Sequence, residues 1–273
     1  MAKVNSLYIY PVKSCKGVSV ESAVASPFGL KYDREWIIIN KQTGKMITQR
    51  THPQMTQINV AINYNDLELS FAGNIFNINF DSKNEIFNGV VWGTNVKGIG
   101  QTADGFDEAL NNFLEMSDAC LMRFIGNRDI KGRINKEVNG QLKYADSYPY
   151  TIADTADLNL LNQYFKDNNL PTITMERFRA NIVFDGVIAD VGSHNDKFVI
   201  ETTNGNIKGN FCEPCTRCPI PDLDPETGQK SNHQMQRSLK QYRDNRKDWF
   251  STHSTLDIKN DILISVGDTV KVN

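Results

Sequence analysis

The feature that most constrains the fold of this chain is a succession of short apolar or alternating runs separated by turn residues. In "DLELSFAGNIFNINF" polar and apolar residues alternate on both sides of Ala72-Gly73-Asn74, and "KFVIETTNGNIKGN" is interrupted by Asn204-Gly205. Alternation with a period of two is the pattern of a half-buried strand, and these interruptions have the chemistry of hairpin turns. The chain is therefore predicted to be mainly β.

Two segments have the periodicity of helices instead. "DGFDEALNNFLEM", residues 104–116, places its apolar side chains on one face, and so does "DTADLNLLNQYF", residues 154–165. Asp154 is the expected N-cap of the second helix. The polar segment 124–147 is predicted to be a flexible loop. The fold class is thus α+β and mainly β, and the strand pattern does not distinguish a barrel from a sandwich.

Composition and charge argue against several specialised classes of protein. The chain has 273 residues, 23% of them charged, and a formal net charge of −2, which are ordinary globular values. A nucleic-acid binder would normally carry a basic excess. The N-terminus has no signal-peptide pattern and the apolar runs are too short to span a bilayer, so we expect a cytoplasmic protein without a membrane anchor. Five cysteines that form no framework of bridges fit a reducing compartment.

Three of the cysteines, Cys212, Cys215 and Cys218, are clustered in "GNFCEPCTRCPIPDLDPETGQK". A zinc site formed by these three thiols and His233 is one interpretation. An iron–sulfur site would need a fourth cysteine that does not follow, and a Cys215–Cys218 redox pair lacks the strand–helix setting of that motif. A further interpretation is that Cys212 and Cys215 are ordinary small residues beside one functional cysteine.

Cys218 differs from the other two cysteines in its flanking residues. Arg217 precedes it, and a neighbouring guanidinium favours the thiolate form that binds metal. Pro219 follows and restricts the backbone immediately after the thiol. One thiolate on a rigid turn suits a metal whose other ligands come from an organic cofactor.

Five segments, in this order along the chain, resemble the motifs of one family. They are "YPVKSCKG" (10–17), "YDREW" (32–36), "YADSYPY" (144–150), "RFRANIV" (177–183) and "TRCPIPDLDPETG" (216–228). Over nearly its whole length the chain resembles MOSC-domain proteins with an N-terminal MOSC β-barrel domain, among them the mitochondrial amidoxime-reducing components and their bacterial counterparts. The resemblance implies an N-terminal β-barrel-like domain over residues 1–120, packed on a MOSC β-barrel over residues 121–273 with a few flanking helices.

The resemblance also implies a function and a cofactor. It implies an oxidoreductase that depends on the molybdenum cofactor, Mo-molybdopterin, and reduces N-hydroxylated compounds such as amidoximes and hydroxylamines. The alternative is a carrier of molybdopterin or sulfur that does not turn over such substrates, and a zinc-binding structural module is a third possibility. No ferredoxin-type cysteine run and no flavin or nicotinamide fingerprint is found, so a separate ferredoxin- or flavodoxin-like electron donor is expected.

Site residues follow from the resemblance position by position. Cys218 falls at the molybdenum ligand, and Asp146 falls in the loop beside the metal, where it is a candidate for orienting water or moving protons. The remaining positions would hold the pterin and its phosphate: Lys13, Ser14, Arg34, Ser147, Arg179, Asn181, Thr216 and Arg217. Lysine and arginine supply charge-assisted bonds to a phosphate, and serine and asparagine supply directional ones.

A few positions depart from the family pattern or stand outside it. Tyr148 replaces a smaller residue and is expected to narrow the substrate pocket, whereas Cys15 is expected to be a core residue. A basic stretch follows the cysteine motif and is a candidate docking patch for an acidic electron carrier. Its basic residues are Lys230, Arg237, Lys240, Arg243, Arg246 and Lys247, against Asp244 and Asp248.

Overall fold

The computed structural model describes residues 1–82, 84–130, 138, 140–187, 196–231, 235–243 and 248–272. Within these ranges the chain is mainly β, which confirms the predicted fold class. The strands are β1 (Ala2–Ile9), β2 (Val18–Val20), β3 (Ser22–Ser26), β4 (Gly29–Leu30), β5 (Trp36–Asn40), β6 (Asn59–Ile62), β7 (Asp66–Phe71), β8 (Asn74–Asn79), β9 (Ile86–Val91), β10 (Thr94–Gln101), β11 (Ala119–Ile125), β12 (Tyr150–Asp154), β13 (Ile182–Asp185), β14 (Lys197–Thr202), β15 (Gly205–Thr216), β16 (Trp249–Asp257), β17 (Ile262–Ser265) and β18 (Thr269–Val272). The α-helices are α1 (Phe106–Leu114), α2 (Thr155–Asp167) and α3 (Met235–Tyr242), and single 3-10 turns span Pro53–Gln57, Met175–Phe178 and Ile220–Asp222.

Seven strands close into a barrel. Their order is β13-β12-β16-β15-β14-β18-β1, and β1 pairs back with β13 to complete the ring. Phe184, Phe198 and Phe211 fill the interior, and the ring centroids of Phe198 and Phe211 are 4.6 Å apart. Gly209 leaves space for this packing, because a Cβ there would lie 2.1 Å from the Phe198 ring. The closed ring decides between barrel and sandwich in favour of the barrel.

A second group of strands packs beside the barrel. Strands β5, β11, β10 and β9 form one antiparallel sheet, and β6, β7 and β8 form another. Their shared core contains Trp36, whose indole nitrogen donates to Gln101 Oε1 at 2.6 Å and whose ring lies 5.5 Å from that of Phe80. Helix α1 contributes Phe106, Leu110 and Leu114 to the same core. This unit presents the β9–β10 hairpin and the loop after β5 towards the barrel.

The first strand of the chain belongs to the barrel. β1 pairs with β13 and β18, and Val4 and Leu7 on β1 are fully buried in the barrel core. Strand β3 likewise pairs with β17 near the C-terminus. Residues of the predicted N-terminal domain therefore contribute to both cores, and a division of the chain at residue 120 stays a prediction.

Local signals in the sequence locate helices and turns well. Helix α1 is two residues shorter at each end than predicted, and the Asp154 side chain caps α2 by accepting from Ala156 N at 2.7 Å. The hairpin at Ala72-Gly73 is confirmed, whereas the turn between β14 and β15 begins at Thr203, one residue earlier than predicted.

The segment 124–147 is more ordered than a flexible loop. Arg128, Leu142 and Tyr144 are buried, and Leu142 N donates to Arg128 O at 2.7 Å. The prediction of a flexible loop is therefore wrong for these residues. Residues 131–137 and 139 lie outside the described part of the chain.

None of the helices among the described residues is long and apolar enough to cross a membrane.

Candidate cofactor and active site

The barrel and the neighbouring sheets enclose a cleft that gathers most of the predicted site residues. Its inner cavity contains about 740 Å³ of space that is partly open to solvent. Nine of the ten predicted residues line this inner cavity, and Thr216 lines only the adjoining outer cleft. The nine are Lys13, Ser14, Arg34, Asp146, Ser147, Arg179, Asn181, Arg217 and Cys218. They come from the loop after β1, the segments before β5, β12 and β13, and the end of β15.

Lys13 and Asp146 form an ion pair in the wall of the inner cavity. Lys13 Nζ donates to Asp146 Oδ1 and also to the Tyr144 carbonyl oxygen at 2.9 Å. The indole nitrogen of Trp92 donates to the same carboxylate oxygen at 2.7 Å. Burial alone would raise the pKa of Asp146, but Lys13 and Trp92 hold that pKa well below its usual range. Asp146 is therefore a carboxylate at neutral pH, which suits an acceptor that orients a bound group rather than a proton donor.

Arg34 is already neutralised by a neighbouring acid. Its Nη1 donates to both carboxylate oxygens of Asp33, at 2.9 and 2.7 Å, and Asp33 is buried. Its Nη2 donates to the Arg179 carbonyl oxygen at 3.0 Å, and its guanidinium lies 4.5 Å from the centroid of the Tyr10 ring. Most of its donors are thus engaged within the protein, so its main contribution is to fix the backbone beneath Arg179.

Arg179 carries a partly buried positive charge at the cavity wall. Its Nη1 donates to the Cys15 carbonyl oxygen at 2.8 Å, and its guanidinium lies 4.2 Å from the Tyr10 ring centroid. Among the described residues, no carboxylate lies within ion-pair distance of it. Burial lowers the pKa of Arg179 to about 10. An anion that enters the cavity would stabilise a cation of this kind, and the fork of a guanidinium matches the geometry of a phosphate or a carboxylate.

The cysteine cluster is arranged around Cys215 rather than Cys218. Arg217 Nη1 contacts Cys215 Sγ at 2.8 Å, and Nη2 donates to the Phe178 carbonyl oxygen at 2.7 Å. The prediction that Arg217 acts on the Cys218 thiol is therefore wrong, because its side chain turns to the other sulfur. Burial would raise the pKa of Cys215, but Arg217, His253 and Ser251 lower it to about 6. The cavity thus contains a buried thiolate three residues from the candidate metal ligand.

Cys218 itself is partly exposed and lines both the inner cavity and the outer cleft. Pro219 follows with φ of −65°, and the 3-10 turn Ile220–Asp222 begins immediately after it. A sulfur in this position is accessible to a group that occupies the cavity.

The third cysteine of the cluster, Cys212, packs away from the cavity. It is buried with Leu142 and Tyr148, and its sulfur lies 3.6 Å from Thr255 Oγ1. No group of three or more His, Cys, Asp or Glu side chains that could hold a metal ion occurs in the described residues. His233, the fourth ligand of the zinc interpretation, lies outside them. Cys15 is fully buried in the core, as expected.

The smaller polar residues mainly shape the cavity wall. Asn181 Oδ1 accepts from Thr151 N at 3.2 Å and its Nδ2 donates to the Tyr8 carbonyl oxygen at 3.3 Å, so its amide joins three strand segments. Ser14 is buried with a left-handed φ of 69°, and Ser147 is partly exposed beside Asp146. These side chains hold the backbone that surrounds the cavity.

Besides the ten predicted site residues, the cavity is lined by Tyr148, which was predicted to narrow the pocket, and by three residues that were not predicted: Arg50, Trp92 and His253. Tyr148 lines the cavity, where a narrowing residue was expected, and its ring stacks on His253 at 5.2 Å. His253, Arg50 and Trp92 line both parts of the cleft. Of these, only Trp92 had a local signal, since a tryptophan followed by glycine between two strand-like runs is an unusual turn.

The basic stretch after the cysteine motif is only partly a free surface. Lys230, Arg237 and Lys240 are exposed. Arg243 is instead largely buried and ion-paired with Asp157, at 3.1 Å. Arg243 is therefore a poor docking residue for a partner. Asp244, Arg246 and Lys247 lie outside the described residues.

The structure defines a β-barrel protein with a basic cleft that contains a partly exposed cysteine, and comparison with known proteins identifies its family. Residues 1–117 match the model of the MOSC N-terminal beta barrel domain, and residues 139–271 match that of the MOSC domain. The chain therefore belongs to the MOSC family, with a MOSC N-terminal beta barrel domain before the MOSC domain.

Curated relatives share most of this chain. The chain is 30% identical over 256 residues to mitochondrial amidoxime reducing component 2 of Bos taurus, with 88% of this chain and 72% of that protein covered. It is 32% identical over 257 residues to the human protein of the same name, with the same coverage. It is 27% identical over 239 residues to the molybdenum cofactor sulfurase of Drosophila erecta, covering 84% of this chain and 29% of that protein. These names associate the family with the molybdenum cofactor.

Proposed function

We propose that this chain binds Mo-molybdopterin in the inner cavity and reduces N-hydroxylated compounds such as amidoximes and hydroxylamines. The observation that carries the proposal is Arg179, a partly buried guanidinium with no carboxylate within ion-pair distance in the described residues, in the same cavity as the accessible sulfur of Cys218. A phosphate-bearing ligand with a thiol-binding metal satisfies both features at once. The names of the relatives support the same cofactor.

The residues present fit such a group. Arg179 would bind the phosphate, Ser14 and the surrounding main chain would supply directional hydrogen bonds, and Cys218 would ligate the metal. Arg34 and Asn181 would contribute indirectly, because their side chains form hydrogen bonds with the backbone of the cavity wall. Thr216 would contribute only at the outer cleft. Arg217 would act indirectly, by fixing the Cys215 thiolate beneath the cavity.

When bound, the cofactor would supply two-electron redox chemistry, and the balanced reaction is R–NHOH with two electrons and two protons giving R–NH₂ and water. Asp146 would orient the polar head of the substrate as a hydrogen-bond acceptor, because Lys13 and Trp92 keep it ionised. The two electrons would come from a separate donor protein of the ferredoxin or flavodoxin type.

The test compares two arginines with different surroundings. Arg179→Gln should lower pterin content about ten- to a hundredfold relative to wild type, because it removes a charge-assisted contact to the phosphate. Arg123→Gln is the matched control, since Arg123 pairs with Glu35 at 2.8 Å and does not line the cavity. Pterin is measured by fluorescence after release and oxidation, and molybdenum by elemental analysis. Normal pterin content in the Arg179 variant would remove the basis of the proposal.

A carrier of the cofactor or of sulfur is the second candidate, and the match to molybdenum cofactor sulfurases favours it. Both candidates require molybdenum and pterin in the purified protein. They differ in turnover: the reductase consumes a reduced artificial dye when an amidoxime is added, and the carrier does not. Zinc as the only metal would contradict both.

A further inference from the structure

The β9–β10 hairpin places an exposed tryptophan at the mouth of the cleft. Val91 pairs with Thr94, so Trp92 and Gly93 alone form the turn, and both have left-handed φ values of 49° and 76°. A turn with two left-handed residues favours asparagine, aspartate or glycine at the first position, and a bulky side chain there is strained. Trp92 nevertheless occupies this position with 47% of its surface exposed.

Trp92 connects the hairpin to two other residues of the cleft wall, Asp146 and Arg50. Its indole N–H donates to Asp146 Oδ1, and the Arg50 guanidinium lies 4.4 Å from the centroid of its ring. Both Trp92 and Arg50 line the inner cavity and the outer cleft, as Cys218 also does. A ligand that occupies the cleft beside Cys218 is therefore enclosed by the same walls to which Trp92 and Arg50 belong.

Arg50 adds a positive charge to the wall of the cleft beside Trp92. It is exposed, and among the described residues no carboxylate lies within ion-pair distance of it. A guanidinium near an indole ring makes a flat, positively charged platform on which planar groups stack and anionic substituents are attracted. A saturated group of the same size gains less from such a platform, because it presents no π face.

We propose that Trp92 and Arg50 form the recognition subsite for the body of the substrate, and that this subsite selects planar conjugated compounds that are neutral or anionic. The indole face and the guanidinium hold the flat body, while Asp146, fixed by the indole edge, receives the polar head. This inference rests on the proposed function for the identity of the substrate head. The binding preference itself requires no turnover.

The test uses probes without an N–O bond, so that binding is measured separately from reduction. Benzamide and cyclohexanecarboxamide have the same polar head on a flat and a non-flat ring. The probes 4-carbamoylbenzoate and 4-(aminomethyl)benzamide keep the amide head and carry opposite charges at the far end of the flat ring. Affinities for the purified full-length protein are measured by ligand-observed nuclear magnetic resonance titration at low salt. We expect benzamide to bind about three- to tenfold more tightly than cyclohexanecarboxamide. We also expect 4-carbamoylbenzoate to bind more tightly than 4-(aminomethyl)benzamide, because Arg50 attracts the anionic substituent on the ring.

Three substitutions separate the parts of the platform. Trp92→Leu should abolish the preference for benzamide over cyclohexanecarboxamide. Trp92→Phe loses the indole N–H but retains a flat aromatic face, so it should keep most of this preference. Arg50→Gln should reduce the ratio of 4-carbamoylbenzoate to 4-(aminomethyl)benzamide affinity and leave benzamide binding less affected. Tyr64→Ala is the control, because Tyr64 is an exposed aromatic residue in a turn that lines no part of the cleft.

Two results would contradict a role of Trp92 in recognising flat rings. Equal affinities for benzamide and cyclohexanecarboxamide in the wild-type protein, or an unchanged preference in Trp92→Leu, would overturn the proposal. If Trp92→Leu does not fold, Trp92→Asn replaces it, since asparagine is favoured at this turn position. A protein that shows the flat-ring preference but no molybdenum would retain this subsite and lose the proposed function, so the two failures are distinguishable.

Discussion

At the scale of single residues, Arg217 changes the chemistry expected of the cysteine cluster. Its guanidinium contacts the sulfur of Cys215, so two cysteines three residues apart have different surroundings. Cys215 is a buried, charge-stabilised thiolate, and Cys218 is an accessible sulfur at the cavity wall. A sequence pattern with regular spacing cannot reveal this division, because it depends on which way one side chain turns.

Serine substitutions in the cluster test the proposal that Cys218 is the metal ligand. Cys218→Ser should lose molybdenum and all molybdenum-dependent activity, and its thermal unfolding should stay close to that of the wild type because the side chain is not in a core. Cys212→Ser is the control in the same strand region and should retain molybdenum, since Cys212 faces the core around Tyr148. Elemental analysis and dye-linked turnover provide the measurements. A Cys212 variant as devoid of metal as the Cys218 variant would favour a multi-cysteine site.

The Cys215 thiolate should make stability depend on pH. Its pKa is about 6 in the folded protein and 9.0, its ordinary value, in the unfolded chain. The unfolded state therefore binds more protons between these values, and the unfolding free energy contributed by Cys215 rises from pH 6 to pH 9. This contribution is lost as pH falls through 6, and its upper bound is about 4 kcal/mol.

Urea denaturation of the wild type and of Cys215→Ser across pH 6–9 measures this contribution. The difference in unfolding free energy between the two proteins should grow with pH, because serine does not titrate in this range. A difference that stays constant from pH 6 to pH 9 would mean that Cys215 is not a thiolate in the folded protein.

At the scale of elements, the loop before β12 positions Asp146, and Arg128 supports this loop from behind. Arg128 is buried and donates to the carbonyl oxygens of Lys143, Ala145 and Asp146. Arg128→Gln removes these charge-assisted bonds and should lower the unfolding free energy by about 2–4 kcal/mol. It should also reduce turnover about tenfold or more, because Asp146 loses its fixed position.

Pterin content distinguishes a misplaced loop from a lost cofactor site. Arg128 does not line the inner cavity, so the Arg128 variant should retain most of its pterin while its turnover falls. Arg123→Gln again serves as the control for loss of a partly buried arginine. Full turnover in the Arg128 variant would contradict a positioning role for this loop.

Elements whose signals are local were predicted well, and contacts across the chain were not. The Ala72-Gly73 hairpin and the Asp154 cap follow from a few neighbouring residues, so their chemistry is legible in the sequence. The bond between Trp92 and Asp146 spans 54 positions, and no local pattern encodes it. The nine cavity residues were found through resemblance to a family, whereas Arg50 and His253 match none of the quoted motifs and were missed.

At the scale of the whole molecule, the barrel is closed by residues from opposite ends of the sequence. β1 fills the gap between β13 and β18, and Val4, Leu7 and Ile9 contribute to the barrel core. Sequence order suggested one domain ending near residue 120 and a second beginning there. That division stays a prediction. Because β1 pairs with β13 and β18, we expect the barrel core to depend on the first residues of the chain, and a fragment experiment tests this dependence.

A fragment of residues 121–273 should not fold on its own. Without β1, strands β13 and β18 each present an unpaired edge, and the loss of each buried apolar side chain of β1 removes about 1.5–3 kcal/mol. That loss is comparable with the whole stability of a domain. The control carries residues 1–31 joined to 121–273 by a flexible Gly/Ser linker, which restores β1 to β4. We expect a cooperative thermal transition, followed by circular dichroism, in the control and none in the fragment. A fragment that unfolds as cooperatively as the control would show that the barrel core does not need β1.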